Sequence, residues 1–216
     1  MLLKVCCIAT VAEAELALAH GADALGLVSA MPSGPGPIPD ADIAVIARAV
    51  AGRARTFLLT SRTDPRAIAD QVLAAGADTV QLVDELGDGA LRRLRALLPR
   101  VAIVPVIHVR DHSALTQARR WAPLADALLL DSGNPNATVR ELGGTGRTHD
   151  WRISAELVQA VAPLPVFLAG GLRAENVADA AHKVRPAGVD LCSGVRTGGR
   201  LDEVKLAAFV RALRPS

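Results

Sequence analysis

The stretch Gly21-Ala22-Asp23-Ala24-Leu25-Gly26-Leu27-Val28 sets a pattern: a small pair, an acid, then a short apolar run. It returns as Gly76-Ala77-Asp78 before residues 79–83, and as Leu124-Ala125-Asp126 before 127–130. A fourth copy, Ala187-Gly188-Val189-Asp190, leads into 191–193. A helical segment precedes each copy. The four acids stand 55, 48 and 64 residues apart, roughly two βα units per interval. Apolar runs at 2–7, 56–59, 102–108 and 165–169 complete a set of eight strands. Helical patterns follow them at 11–20, 41–51, 65–75, 91–98, 113–121, 152–160, 176–184 and 201–213. Their apolar positions recur at three- and four-residue steps, as in Ile43, Ile46, Ala47 and Val50. Strict alternation of strand and helix predicts an α/β fold, a single-domain (β/α)8 TIM barrel over residues 1–216. The stretch Pro32-Ser33-Gly34-Pro35-Gly36-Pro37 reads as a tight loop, too short to divide the chain.

Composition agrees. Hydrophobic residues make up 50% and aromatic residues 2%, so the core must be Ala, Val, Leu and Ile, as suits parallel strands covered by helices. A net charge of +2 gives no case for nucleic acid or an anionic membrane as partner. No apolar run approaches the roughly 18 residues of a membrane span. The N-terminal Met1-Leu2-Leu3-Lys4-Val5-Cys6-Cys7-Ile8 lacks a basic lead and reads as a first strand, not a signal peptide. Three cysteines, two adjacent, make no disulfide framework, and a reducing cytoplasm is the simplest compartment.

In such a barrel the site lies where strands end and βα loops begin. Alternation along strand one puts Lys4 and Cys6 inside the barrel and turns Leu3, Val5 and Cys7 toward the helices. Cys6 is then an interior thiol near the rim. A buried structural cysteine is the plain alternative, but the Lys4 ammonium nearby favours a thiolate. Strand six ends in Asp131 directly after an apolar run, so a base on strand one and an acid on strand six flank a space for a small substrate. The alternative for Asp131 is a turn cap.

Glycine clusters supply the third element. Gly143-Gly144-Thr145-Gly146 precedes a helix, Gly170-Gly171 ends strand seven, and Ser193-Gly194 follows strand eight. Bare N–H groups at such turns bind anions, and loops seven and eight are the usual phosphate site of this architecture. Gly144, Thr145, Gly170, Gly171, Ser193 and Gly194 are therefore the phosphate candidates. A Schiff-base lysine does not fit, because Lys4 is too early on its strand and Lys183 and Lys205 lie elsewhere. His108 and His112 find no further histidine, so no metal is expected.

These motifs together resemble the phosphoribosylanthranilate isomerase family of tryptophan biosynthesis over the whole chain. The family opening Lys-Ile-Cys-Gly-Ile-Thr corresponds to Lys4-Val5-Cys6-Cys7-Ile8-Ala9. Its Gly-Ala-Asp segment matches Gly21 to Val28, and its Val-Gln-Leu-His-Gly matches Val80-Gln81-Leu82 and then fails. Its Leu-Leu-Asp-Ser matches Leu129 to Ser132, and Gly-Gly-Thr-Gly-x-x-Phe-Asp-Trp matches Gly143 to Trp151 with His149 for Phe. Leu-Ala-Gly-Gly-Leu matches Leu168 to Leu172, and Ser-Gly-Val-Glu matches Ser193-Gly194-Val195 with Arg196 for Glu. The resemblance implies an Amadori rearrangement of a phosphorylated sugar amine from aminoaldose to aminoketose. It implies Asp131 as general acid on the ring oxygen and Cys6 as base at C2′, with no cofactor. A monomer or a homodimer is compatible with it.

The departures concern the aglycone. The family has Ser-Pro-Arg after strand two, whose arginine is expected to meet the anthranilate carboxylate; Ser33-Gly34-Pro35-Gly36-Pro37 contains no arginine. Cations stand at other strand ends instead: Arg62, His108, Arg110 and Arg196. With Lys4 they form the set of candidate substrate contacts, since arginine is the natural bidentate partner of a carboxylate. Two alternatives stay open: a paralogue acting on another phosphoribosyl amine, and a weakly catalytic phosphate-sugar binding protein.

Overall fold

The recurring acid caps the neighbouring strand. Asp23 Oδ2 accepts the Leu3 N–H at 2.8 Å, Asp78 accepts the Thr56 N–H at 3.1 Å, and Asp126 Oδ2 accepts the Ile103 N–H at 2.7 Å. Each acid stands at the entrance of an even-numbered strand and takes an N–H from the start of the odd-numbered strand before it. This is why the motif repeats every two βα units: one carboxylate satisfies a backbone donor that the ladder leaves open.

A computed structural model describes residues 1–133 and 148–214. Eight parallel strands close a barrel in chain order: β1 (Leu2–Val5), β2 (Ala24–Val28), β3 (Arg55–Thr60), β4 (Thr79–Leu82), β5 (Ala102–His108), β6 (Leu128–Asp131), β7 (Val166–Leu168) and β8 (Gly188–Leu191). The helices between and after them are α1 (Val11–Ala19), α2 (Asp40–Ala49), α3 (Pro65–Ala75), α4 (Asp88–Leu97), α5 (Ser113–Trp121), α6 (Trp151–Ala160), α7 (Val177–Val184) and α8 (Glu203–Leu213). The predicted barrel is therefore the observed one. No helix among the described residues is long and apolar enough to cross a membrane.

Two apolar layers result from strand alternation. The larger packs outward-facing strand residues such as Leu3, Val5, Leu25 and Leu27 under the helices. The smaller fills the barrel with Ala24, Phe57, Val104, Val106, Leu129 and Phe167. Phe57 and Phe167 meet edge to face at 5.8 Å between centroids. Two of the chain's five aromatic residues thus supply bulk inside the barrel.

Two expectations change. Strand eight was expected at 191–193, but β8 spans Gly188–Leu191. Asp190 is not a strand-entrance cap like its three counterparts. It sits inside β8, paired in register with Lys4 of β1. Leu201 does not begin α8 either; it belongs to a short antiparallel pair, β9 (Arg196–Thr197) and β10 (Arg200–Leu201), and Asp202 caps the helix by accepting from Lys205 N.

At the start of α6, Asp150 is the N-cap, and His149 Nε2 lies 2.7 Å from the buried Ser154 Oγ. Burial lowers the His149 pKa from 6.5 to about 4, the Asp150 carboxylate opposing it. Between these values the unfolded chain binds a proton that the folded chain refuses. Stability therefore falls as pH drops through this window, by at most about 3 kcal/mol for this group. His149→Phe, the residue of the family pattern, should remove that component. Denaturant unfolding at pH 7 and near pH 4 should show a smaller acid loss in the variant; equal losses would place the acid sensitivity elsewhere.

Candidate active site

The carboxyl ends of the strands surround a cavity open to solvent. Its lining includes Cys6 after β1, Asp131 at the end of β6, Gly170 and Gly171 after β7, and Ser193 after β8. One cavity thus gathers the thiol and carboxyl singled out as catalytic and three of the six positions singled out for phosphate. Gly194 stands beside them. A Cβ there would strike the Leu172 carbonyl oxygen, so loops seven and eight approach too closely for a side chain. Gly144 and Thr145 lie outside the described residues.

Asp131 is buried, and burial raises its pKa; the Ser132 N–H at 2.7 Å, His108 and Lys4 pull it back only in part. Beneath the cavity floor, Lys4 is fully buried and donates to Asp190 Oδ1 at 2.9 Å. Desolvation opposes its charge, but the Asp190 carboxylate and the thiols of Cys6 and Cys7 outweigh it and raise its pKa. Lys4 Nζ also sits 5.2 Å over the Phe57 ring. A Cβ on Gly26 would meet Cys6 Sγ at 2.7 Å and Lys4 Nζ at 3.1 Å, so the thiol and the ammonium converge on one point of β2. Lys4 faces inward as alternation predicted, but it serves Asp190 and does not line the cavity.

The orientation of Cys7 is the main correction. Strand pairing ends at Val5, and Cys7 takes φ +62°, the left-handed region where the family pattern has Gly. Alternation no longer applies past the strand end. Cys7 belongs to the interior cluster, lines the cavity, and touches Cys192, with Sγ atoms 2.6 Å apart.

The candidate cations divide. His108 pairs in register with Asp131 and places Nε2 3.3 Å from the Val83 carbonyl oxygen. Arg62 and Arg110 are exposed beyond their strands. Arg196 turns back into the protein. Its guanidinium donates to the carbonyls of Cys6 at 3.0 Å and Cys7 at 2.5 Å, and pairs with Glu13 at 3.2 Å. None of the three arginines lines the cavity. The substrate-contact reading of Arg196 gives way to a clamp on the loop after β1.

Two lining residues escaped the sequence reading. Asp190 was taken as a repeat acid, although its place between Val189 and Leu191 gives the alternation of a strand interior. Gln81, flanked by Val80 and Leu82, gave the same signal. It is buried, and its Oε1 has no partner among the described residues. An unpaired buried acceptor facing a cavity is suited to a ligand hydroxyl.

Fold and mouth define a (β/α)8-barrel protein with a small-molecule site at the carboxyl ends of its strands. The chain belongs to the N-(5′-phosphoribosyl)anthranilate isomerase family, whose model matches residues 3–212. It is 37% identical to the N-(5′-phosphoribosyl)anthranilate isomerase of Haloferax volcanii, over 98% of this chain and 92% of that one. It is 31% identical to the Methanocella arvoryzae protein of the same name, over 98% and 97%. The phosphoribosyl anthranilate isomerase structure from Thermotoga maritima superposes with a TM-score of 0.83 at 26% identity, covering 99% of this chain and 98% of that one.

Glu13 accepts from the N–H groups of Ala9 and Leu201 as well as from Arg196, so one ion pair ties the loop after β1 to the segment after β8. Both side chains are largely buried. Arg196→Met should leave Glu13 and two carbonyls short of a donor and lower stability by about 2–4 kcal/mol. Equilibrium unfolding checks this; a change under 0.5 kcal/mol, the usual size for a surface substitution, would mean the clamp carries no load.

Proposed function

We propose that this chain catalyses the isomerisation for which its family is named, with Cys6 and Asp131 as the proton-transfer pair. The observation that carries the assignment of roles is a buried carboxyl, its pKa raised by burial, and a thiol beside an ammonium, the carboxyl and the thiol lining one cavity. The Asp131 carboxyl donates its proton to the ribose ring oxygen as the C1′–O bond breaks. The nitrogen lone pair forms the imine, and the positive charge acidifies the C2′ hydrogen. Cys6 removes that hydrogen as a proton, giving an enolamine that tautomerises to the aminoketose. Nothing is gained or lost overall, so the residues need only hold and move protons. The Lys4 ammonium and the Cys6 sulfur close on the same point of β2. The phosphate rests on backbone N–H groups at Gly170, Gly171, Ser193 and Gly194, with Gly144 and Thr145 as the further candidates. The same reading places a small phosphorylated sugar amine as ligand and the cytoplasm as compartment.

Complementation of a tryptophan auxotroph lacking this isomerase, together with a direct assay on phosphoribosylanthranilate, tests the activity. Cys6→Ala and Asp131→Asn should each lower kcat on the order of 10²–10⁴-fold, the usual contribution of a general acid or base. Folded variants with near wild-type rates would remove these two residues from their roles.

One observation favours a second reading of the substrate. Among the described lining residues the charged side chains are Asp131 and Asp190, and Ser33, Gly34 and Pro35 stand where the family arginine is expected. A carboxylate on the aglycone then faces no cation in the described cavity. A lost charge-assisted hydrogen bond is worth about 1.5–3 kcal/mol, or roughly 10–150-fold. The phosphoribosyl derivative of aniline, which lacks the carboxylate, should therefore react within about tenfold of phosphoribosylanthranilate in kcat/KM. A preference above a hundredfold for the carboxylate would show that it has a partner after all.

A further inference from the structure

We propose that Cys7 and Cys192 form an oxidisable dithiol at the barrel mouth, which a peroxide closes to a disulfide, and that closing it disables the neighbouring Cys6. The two sulfurs stand 2.6 Å apart although 185 residues separate them. One belongs to the loop after β1 and the other to the turn after β8, so the contact bridges the barrel seam. Cys192 is partly exposed and both line the cavity, so a small oxidant can reach them.

The surroundings hold this arrangement. The β2–α2 loop seats on Cys7: its Sγ donates to the Pro35 carbonyl at 3.5 Å, and a Cβ on Gly36 would stand 2.6 Å from Cys7 Cβ. Arg196 grips the Cys7 carbonyl at 2.5 Å, and its guanidinium charge acts on Cys192. The pair is also unequal. Cys192 is partly exposed, and contact with Cys7, helped by Arg196 and opposed by burial, holds its thiol below the usual range. Cys7 is buried, and contact with Cys192 and Cys6, with burial, pushes it up. The more exposed Cys192 is thus the attacking thiol and Cys7 the resolving one.

The chemistry balances. Cys192 thiolate attacks one oxygen of hydrogen peroxide; an S–O bond forms, the O–O bond breaks, and hydroxide leaves to become water. Cys7 sulfur attacks the resulting sulfenic acid; the S–S bond forms, the S–O bond breaks, and the second water leaves with the Cys7 proton. Two thiols lose two electrons and peroxide gains them. The product ties the loop carrying Cys6 to the loop carrying Ser193 and removes the S–H that holds Pro35. Its effect on rate rests on Cys6 being the base, as proposed above.

The test uses the reduced full chain, titrated with hydrogen peroxide in small molar excess. Intact mass, maleimide labelling and peptide mapping run beside the isomerase assay. The expected result is a loss of two hydrogens, a Cys7–Cys192 linked peptide pair, and Cys6 still open to maleimide. The rate should fall about tenfold or more through displacement of the base and return with dithiothreitol. Cys192→Ser and Cys7→Ser, each compared with its own reduced rate, should lose the dithiothreitol-reversible inactivation. A cross-link through Cys6, sulfinic acid on Cys6 before any cross-link, a Cys7–Cys192 link with an unchanged rate, or reversible inactivation that persists in either folded variant would overturn the proposal. Mapping reads the cross-link whatever reaction the site runs. A chain that fails the isomerase assay but forms the link therefore faults the function, and an active chain that never forms it faults the dithiol.

Discussion

The barrel is organised around the Lys4–Asp190 ion pair. Burying an ammonium costs several kcal/mol unless a partner and further contacts offset it. Asp190 at 2.9 Å supplies the partner, and the Phe57 ring supplies a π face. The pair also lies on the seam where the first strand meets the last, Lys4 opposite Asp190 in the β1–β8 register. Two of the three phenylalanines sit in the barrel interior, where Phe57 and Phe167 pack edge to face. Removing either member of the pair would strand the other charge, at a cost of about 3–5 kcal/mol.

That ammonium also sets the electrostatics above it. It acts on the thiols of Cys6 and Cys7 and on the Asp131 carboxylate. Burial raises the pKa of both acids, and Lys4 lowers both without cancelling it. What differs is the contact: Asp190 holds the ammonium at 2.9 Å, whereas Asp131 takes the Ser132 N–H at 2.7 Å.

The eight strands and helices were legible because hydrophobic period and motif spacing are local properties. The place of Cys6 and Asp131 at the cavity was legible because both lie at strand ends, which this fold class gathers at one mouth. The failures have one origin: a local rule extended past the element that justifies it. Alternation was carried to Cys7 beyond the end of β1, where the backbone had already turned to φ +62°. The place before the strand that three acids hold was extended to Asp190, which lies inside β8. Arg196 looked like a substrate contact because residues at strand ends face the mouth, yet its acceptors include two backbone carbonyls more than 180 positions away in the chain. Only the closed barrel makes them neighbours.

The departures at Cys7 and Arg196 are best understood together, because the two residues touch. A non-glycine residue in the left-handed region costs roughly 1–2 kcal/mol. At position 7 the family pattern avoids that cost with glycine. Here the strained peptide is held by a guanidinium that donates to the carbonyls on both sides of it, and the guanidinium is itself fixed by Glu13. Charge-assisted hydrogen bonds of this kind contribute roughly 1.5–3 kcal/mol, enough to offset the strain. A glutamate at 196 would set a carboxylate against those same carbonyls and against Glu13, with no donor to offer either. The two changes are therefore mutually permissive: arginine at 196 makes a side chain at 7 tolerable, and that side chain is the thiol that faces Cys192 across the seam.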